Sequence, residues 1–212
     1  MLKSMSAGGP TASLIWRCVS TSVLVALFLV FALAHFSAWR KTGDFNGLGL
    51  VADEALLAVL FLVRRPARRT SSAPVDWLVA IAGTWLVLAL RPAPHPVPGM
   101  GLVGLGIQFV GLAGAVVSLA TLGRSIGVVA ADRGLKTVGP YAVVRHPAYL
   151  CYLVIQLGYL LQNPSPWNVG VVLIATACQI ARIRAEERLL AAEEGFRAYS
   201  ARVRYRLIPA FY

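Results

Sequence analysis

Two groups of polar residues, about forty positions apart, have the types and spacing to do chemistry together. Arg145, His146 and Tyr149 stand at the head of one apolar run, and Arg182, Glu186 and Glu187 stand where a later run turns polar. Arg182 and Glu186 are four apart and share a helical face, with Glu187 one step round. Pro147 suits the first turn of the helix that Arg145-His146 enters. Two short apolar runs and the corner Asn163-Pro-Ser-Pro166 separate the groups, so a helical hairpin can bring them together. A ligand carrying an amine, a carboxylate and an aromatic base needs a carboxylate for the first and donors for the second. The third needs an apolar or aromatic wall. Glu186, Glu187, His146, Tyr141, Tyr149 and the Arg133–Lys136 loop are of those types, and a sulfonium methyl donor is a ligand of that description. Each also has a plainer reading. His146 could cap an interfacial helix, the tyrosines could belong to an aromatic belt, and Arg182–Glu186 could be a surface pair worth a few tenths of a kcal/mol.

Taken together these residues resemble the isoprenylcysteine carboxyl methyltransferase and phospholipid N-methyltransferase group of membrane methyltransferases. That group carries RHPxYxG followed by a distant Glu-Glu pair. Arg145, His146, Pro147, Tyr149, Glu186 and Glu187 match it, as does the ending Gly195…Tyr199…Arg202-Val203…Ile208-Pro209. The resemblance covers roughly Asp132–Tyr212. The family's Gly is Cys151 here, where close approach of a helix or cofactor is at issue. The resemblance implies S-adenosylmethionine as cofactor. Its contacts fall on Arg133, Gly134, Leu135, Lys136, Tyr141, His146, Pro147, Ala148, Tyr149 and Glu186. It implies Arg182 and Arg202 as substrate-side arginines, with Arg182 and Glu187 serving catalysis. A carboxylate nucleophile would need no base, whereas a thiol or amine would need Glu187 or His146 to take its proton.

The elements that must position these residues are membrane helices. The chain of 212 residues is 58% hydrophobic and 14% charged, with mean hydropathy +0.69, too apolar for an ordinary soluble domain. A net charge of +11 fits the positive-inside effect and anionic lipid better than nucleic acid. The fold expected is all-α, a polytopic transmembrane helical bundle of about six segments with a cofactor pocket at its cytoplasmic end. The segments are Cys18–Trp39, Phe45–Val63, Val75–Leu90, Gly101–Leu122, Pro147–Gln162 and Trp167–Ile183. A cleaved signal peptide is the alternative for the first, but the run is too long for a typical h-region. The last can continue through Glu194 to a C-cap at Gly195. Residues 1–122 form an N-terminal helical part, and residues 123–212 a methyltransferase core.

Six spans place both termini and both halves of the motif in the cytoplasm, leaving only Arg40, Lys41 and Arg91 of the 20 basic residues outside. Asp53 and Glu54 fall near the middle of the second segment, where a carboxylate costs roughly 2.5–3.5 kcal/mol on insertion scales. Either that helix starts late and leaves both at the interface, or they line a polar cavity. Gly99-Met-Gly101-Leu-Val-Gly104 spells a dinucleotide fingerprint, but it follows no strand and opens a membrane-length run. Close helix approach is the better account. Cys18, Cys151 and Cys178 show neither metal spacing nor pairing. The partners expected are membrane lipids and a lipophilic methyl acceptor, whether carboxylate, amine or thiol. The rival readings are a nicotinamide-dependent, sterol-reductase-like membrane enzyme and a non-enzymatic membrane scaffold.

Overall fold

The computed structural model describes residues 10–43, 45–93, 99–209 and 211. Among them the chain forms α1 (Pro10–Thr42), α2 (Phe45–Val63), α3 (Pro74–Trp85), α4 (Met100–Leu122), α5 (Pro147–Gln162), α6 (Pro166–Leu190) and α7 (Glu194–Arg202). A 3₁₀ turn, Leu86–Ala89, extends α3. The expected segments are therefore helices. Pro residues open α3, α5 and α6, where a missing N–H is harmless and φ is preset. Ser165 caps α6 by accepting from the Asn168 N–H at 3.1 Å.

Cys18–Lys41, Met100–Ser125 and Pro166–Leu190 are long and apolar enough to cross a bilayer, and Pro74–Ala89 is a shorter apolar helix. Their outward faces carry Leu33, Leu78, Leu102 and Val110, all largely exposed. In water such a surface would drive association; in lipid it is solvated. Inside, Phe28 stacks on Phe61 at 5.5 Å and meets Trp85 at 5.7 Å, tying α1, α2 and α3 together beside Leu119 and Ile126.

The closest packing joins α4 to α5 through glycine. A Cβ on Gly104 would fall 2.5 Å from the Gly158 carbonyl oxygen, and one on Gly158 would fall 2.7 Å from that of Gly104. Of the glycines expected to permit close approach, Gly104 does so. Gly99 instead takes φ +78° at the start of α4, and Gly101 faces open space. The hairpin is splayed: α5 packs chiefly on α4 and α6 chiefly on α3, so a cleft opens between its arms. The line expected at residues 122 and 123 thus cuts across two helix pairs, since α3 and α4 each pack on a later helix.

The polar stretch before α5 holds a 3₁₀ turn at Gly123–Ser125, a two-residue strand and a second 3₁₀ turn at Gly139–Ala142. The strand, Ala131–Asp132, pairs antiparallel with Arg69–Thr70, Arg69 opposite Asp132 and Thr70 opposite Ala131. Gly195 is not the cap expected of it. Helix α6 stops at Leu190, Glu193 is extended, and Gly195 lies inside α7. The break turns α7 so that Phe196 and Tyr199 are buried beneath the cleft with Leu135 and Leu190. On the opposite end Asn168 is fully buried, accepts from the Arg91 N–H at 3.0 Å and donates to the Arg91 and Asn163 carbonyls. The Pro-rich stretch beyond it, residues 94–98, lies outside the described residues.

Candidate active site

The cleft between α5 and α6 is the mouth of a cavity of about 580 Å³ that runs inward between α2, α3 and α5. Its wider end is built from three pieces of chain. The first is the loop before α5. There Asp132, buried at 1% exposure, accepts from the Gly134 N–H at 3.1 Å. Gly134 itself takes φ +96°, a conformation that favours glycine. This turn sets Arg133, Gly134, Leu135 and Lys136 along the cavity wall. Arg133 is partly desolvated: burial, then the nearby Arg64 guanidinium, lower its pKa to about 10. Its Nε has no hydrogen-bond partner.

The second piece is the turn into α5. Tyr141 is buried and lines the cavity, and its carbonyl accepts from the Tyr199 hydroxyl at 2.7 Å. Burial pushes the Tyr199 pKa up to about 12 and that of Tyr141 higher still, so both stay neutral donors. His146, Ala148 and Tyr149 line the cavity, while Pro147 serves to start the helix.

The third piece is α6. Tyr149 donates to Glu186 Oε1 at 2.5 Å, and Arg182 Nε donates to the same oxygen at 3.3 Å. His146 Nδ1 stands 3.8 Å from Glu186 Oε2. Arg182 reaches further, donating to Thr84 Oγ1 at 3.1 Å and the Gly127 carbonyl at 2.8 Å, with its guanidinium over the Tyr149 ring at 5.1 Å. One arginine therefore bridges α3, the loop and α6 across the cavity roof.

Glu187 points elsewhere. Its Oε1 accepts from Arg145 Nε at 2.7 Å and lies 3.1 Å from His146 Nε2, and its Oε2 accepts from Arg206 Nε at 2.8 Å. Arg145 completes the knot by donating to the Val203 and Arg204 carbonyls at 2.8 and 2.7 Å. The backbone N–H groups of Arg145 and His146 donate to the Tyr205 and Arg206 carbonyls. Glu187, expected to serve catalysis, does not line the cavity, and its oxygens face three partners. Arg202, expected on the substrate side, is exposed on α7 and does not line the cavity.

Sequence reasoning missed Thr84, Arg206 and the α7 wall. Phe196, Tyr199 and Val203 recur at helical spacing, and that stripe was legible. Nothing local marks Thr84 or Arg206. Of the residues with two readings, Asp53 and Glu54 both line the cavity. Glu54 pairs with His35 at 3.0 Å.

Apolar helices of spanning length packed around a cavity mark an integral membrane protein. Residues 105–192 match the model of the Isoprenylcysteine carboxyl methyltransferase (ICMT) family, and the family resemblance read from the sequence holds. Among solved structures the chain is similar to the eukaryotic intramembrane Ras methyltransferase ICMT (isoprenylcysteine carboxyl methyltransferase). The TM-score is 0.51 at 18% identity, covering 90% of this chain and 75% of that one. This likeness is one of fold. No curated protein matches. Family and fold together support a membrane methyltransferase.

Proposed function

We propose that the protein transfers a methyl group from S-adenosylmethionine to a lipophilic, membrane-borne acceptor. The observation that carries this reading is Glu186, a carboxylate held toward a cavity of about 580 Å³ by Tyr149 and Arg182 and faced by the basic Arg133–Lys136 loop. That volume lies within the range of about 300–1,000 Å³ usual for small-molecule sites. The donor set also fits the group. Glu186 would hold its amine, Arg133 with its unpartnered Nε and Lys136 its carboxylate, and Tyr141, Leu190 and Phe196 its base. When bound, the cofactor supplies an electrophilic methyl on a sulfonium whose departure leaves a neutral thioether.

The chain's own residues then do the positioning. Arg182 is locked by Thr84 and Gly127 on the inner side of Glu186, where it orients an acceptor arriving from the bundle. A carboxylate acceptor needs nothing more. For a thiol or amine, His146 is a cavity-lining group able to take a proton. Glu187 keeps His146 in place and does not itself reach the cavity. Residues 123–212 supply these groups, and helices from residues 1–122 close the cavity around them. The basic asymmetry of the sequence supports a cytoplasmic side for the cleft and both termini.

The test is thermal stability of the purified full-length protein. S-adenosylmethionine and its demethylated product should both raise Tm by mass action. A folded preparation that shows no shift at millimolar ligand would remove the reading.

A further inference from the structure

The inner half of the cavity, beyond Arg182, contains polar groups that the methyl donor does not need. Asp53 of α2 and Gln156 of α5 are 6% and 5% exposed and both line the cavity. Asp53 Oδ1 and Gln156 Oε1 are buried acceptors without a hydrogen-bond partner. At ~1.5 Å per residue, Asp53 lies about 15 Å along α2 from Val63, and Gln156 about 14 Å along α5 from Pro147. Both lie well inside their helices and line the same cavity.

A buried carboxylate oxygen without a partner is costly, more so than an amide or hydroxyl. Glu54 is satisfied by His35, whereas Asp53 Oδ1 has no partner among the described residues. Gln156 can turn its amide to suit either kind of partner, but an ionised carboxylate only accepts. Beside Asp53 on α2 stands a second carboxylate, Glu54, paired with His35, whereas the lining residues Arg133, Lys136, Arg145 and Arg182 come from the loop, the entry to α5 and α6. Around the acidic end the wall is apolar, with Phe28, Phe31, Leu57, Leu88 and Ile155.

We infer that Asp53 and Gln156 form a second recognition subsite that takes a hydrogen-bond-donating group, an ammonium or a hydroxyl, on an alkyl-chain methyl acceptor. The inference rests on the methyltransferase reading for the word acceptor, and on the cavity alone for the subsite. The carboxylate pair ranks the ammonium first, and a carboxylic acid is disfavoured there by like charge.

Dodecylamine, dodecanol and dodecanoate share one chain and differ in this group. Their affinities for the full-length protein in nanodiscs should fall in that order. Asp53→Leu should weaken the amine at least tenfold, within the roughly ten- to hundredfold worth of a charged hydrogen bond, and leave S-adenosylmethionine affinity unchanged. Asp53→Asn should lose the preference for amine over alcohol. Equal or tighter binding of dodecanoate, or undiminished amine binding by Asp53→Leu, overturns the subsite. If neither variant folds, the order of the three ligands on the parent decides alone. A parent that selects the amine but ignores S-adenosylmethionine keeps the subsite and loses the methyltransferase reading. One that binds S-adenosylmethionine without selecting among the three does the reverse.

Discussion

Cys151 and Gly114 fit each other across the α4–α5 contact: a Cβ on Gly114 would fall 2.7 Å from Cys151 Sγ. Cys151 stands where the resemblance implies a glycine, and Gly114 on the partner helix leaves room for its thiol. Gly114→Ala should therefore overpack the seam and destabilise the protein by about 1–3 kcal/mol. Adding Cys151→Gly should recover most of that loss. Chemical denaturation of the single and double variants forms the cycle, and additive effects would show that the two residues do not share the space.

Glu186→Ala should weaken S-adenosylmethionine binding roughly ten- to a hundredfold, the usual worth of about 1.5–3 kcal/mol for a charge-assisted contact. Arg182→Ala should leave that affinity largely intact, because Tyr149 still holds Glu186, and should lower turnover through the acceptor's KM or kcat. Parental binding and turnover in both variants would make the cluster a surface pair.

Glu187→Ala should fail in a different way. It strands Arg145, whose side chain is 7% exposed, and leaving one partner of a buried pair costs about 3–5 kcal/mol. Arg206→Ala removes a partner that is 37% exposed and should cost no more than about 1 kcal/mol. Tm should separate the two variants. A Glu187→Ala protein of parental stability that fails only in catalysis would restore Glu187 as a chemical participant.

Reporter fusions before Met1 and after Tyr212 should both read cytoplasmic. The motivation is the placement of Arg40, Lys41 and Arg91 at the opposite ends of the helices. An N-terminus on the far side would mean that one of the first four helices does not span, with α2 and its two acids the first to check.

The helices were legible because apolar runs bounded by Pro and Arg report their own ends. The pairing of helices was not. Gly104 and Gly158 look alike in sequence to Gly101, where a Cβ would meet nothing, and only the partner backbone distinguishes them. Glu186 and Glu187 are a similar case. They are adjacent, alike in chemistry and matched to one motif, yet a turn of about 100° per residue sends one into the cavity and the other to Arg145 and Arg206. Whether Asp53 faced lipid, solvent or protein depended on α5, a hundred residues away, which no local pattern carries.

The hold of residues 203–206 on Arg145 and His146 also sets an order of events in synthesis. Arg145 finds its carbonyl partners 58 and 59 residues downstream, after α5 and α6 have both been made. A nascent chain halted before Val203 would have its apolar helices and Glu187, but not the two carbonyls that hold Arg145 Nη1. The last contacts that fix this arginine thus form only after the rest of the bundle has been made.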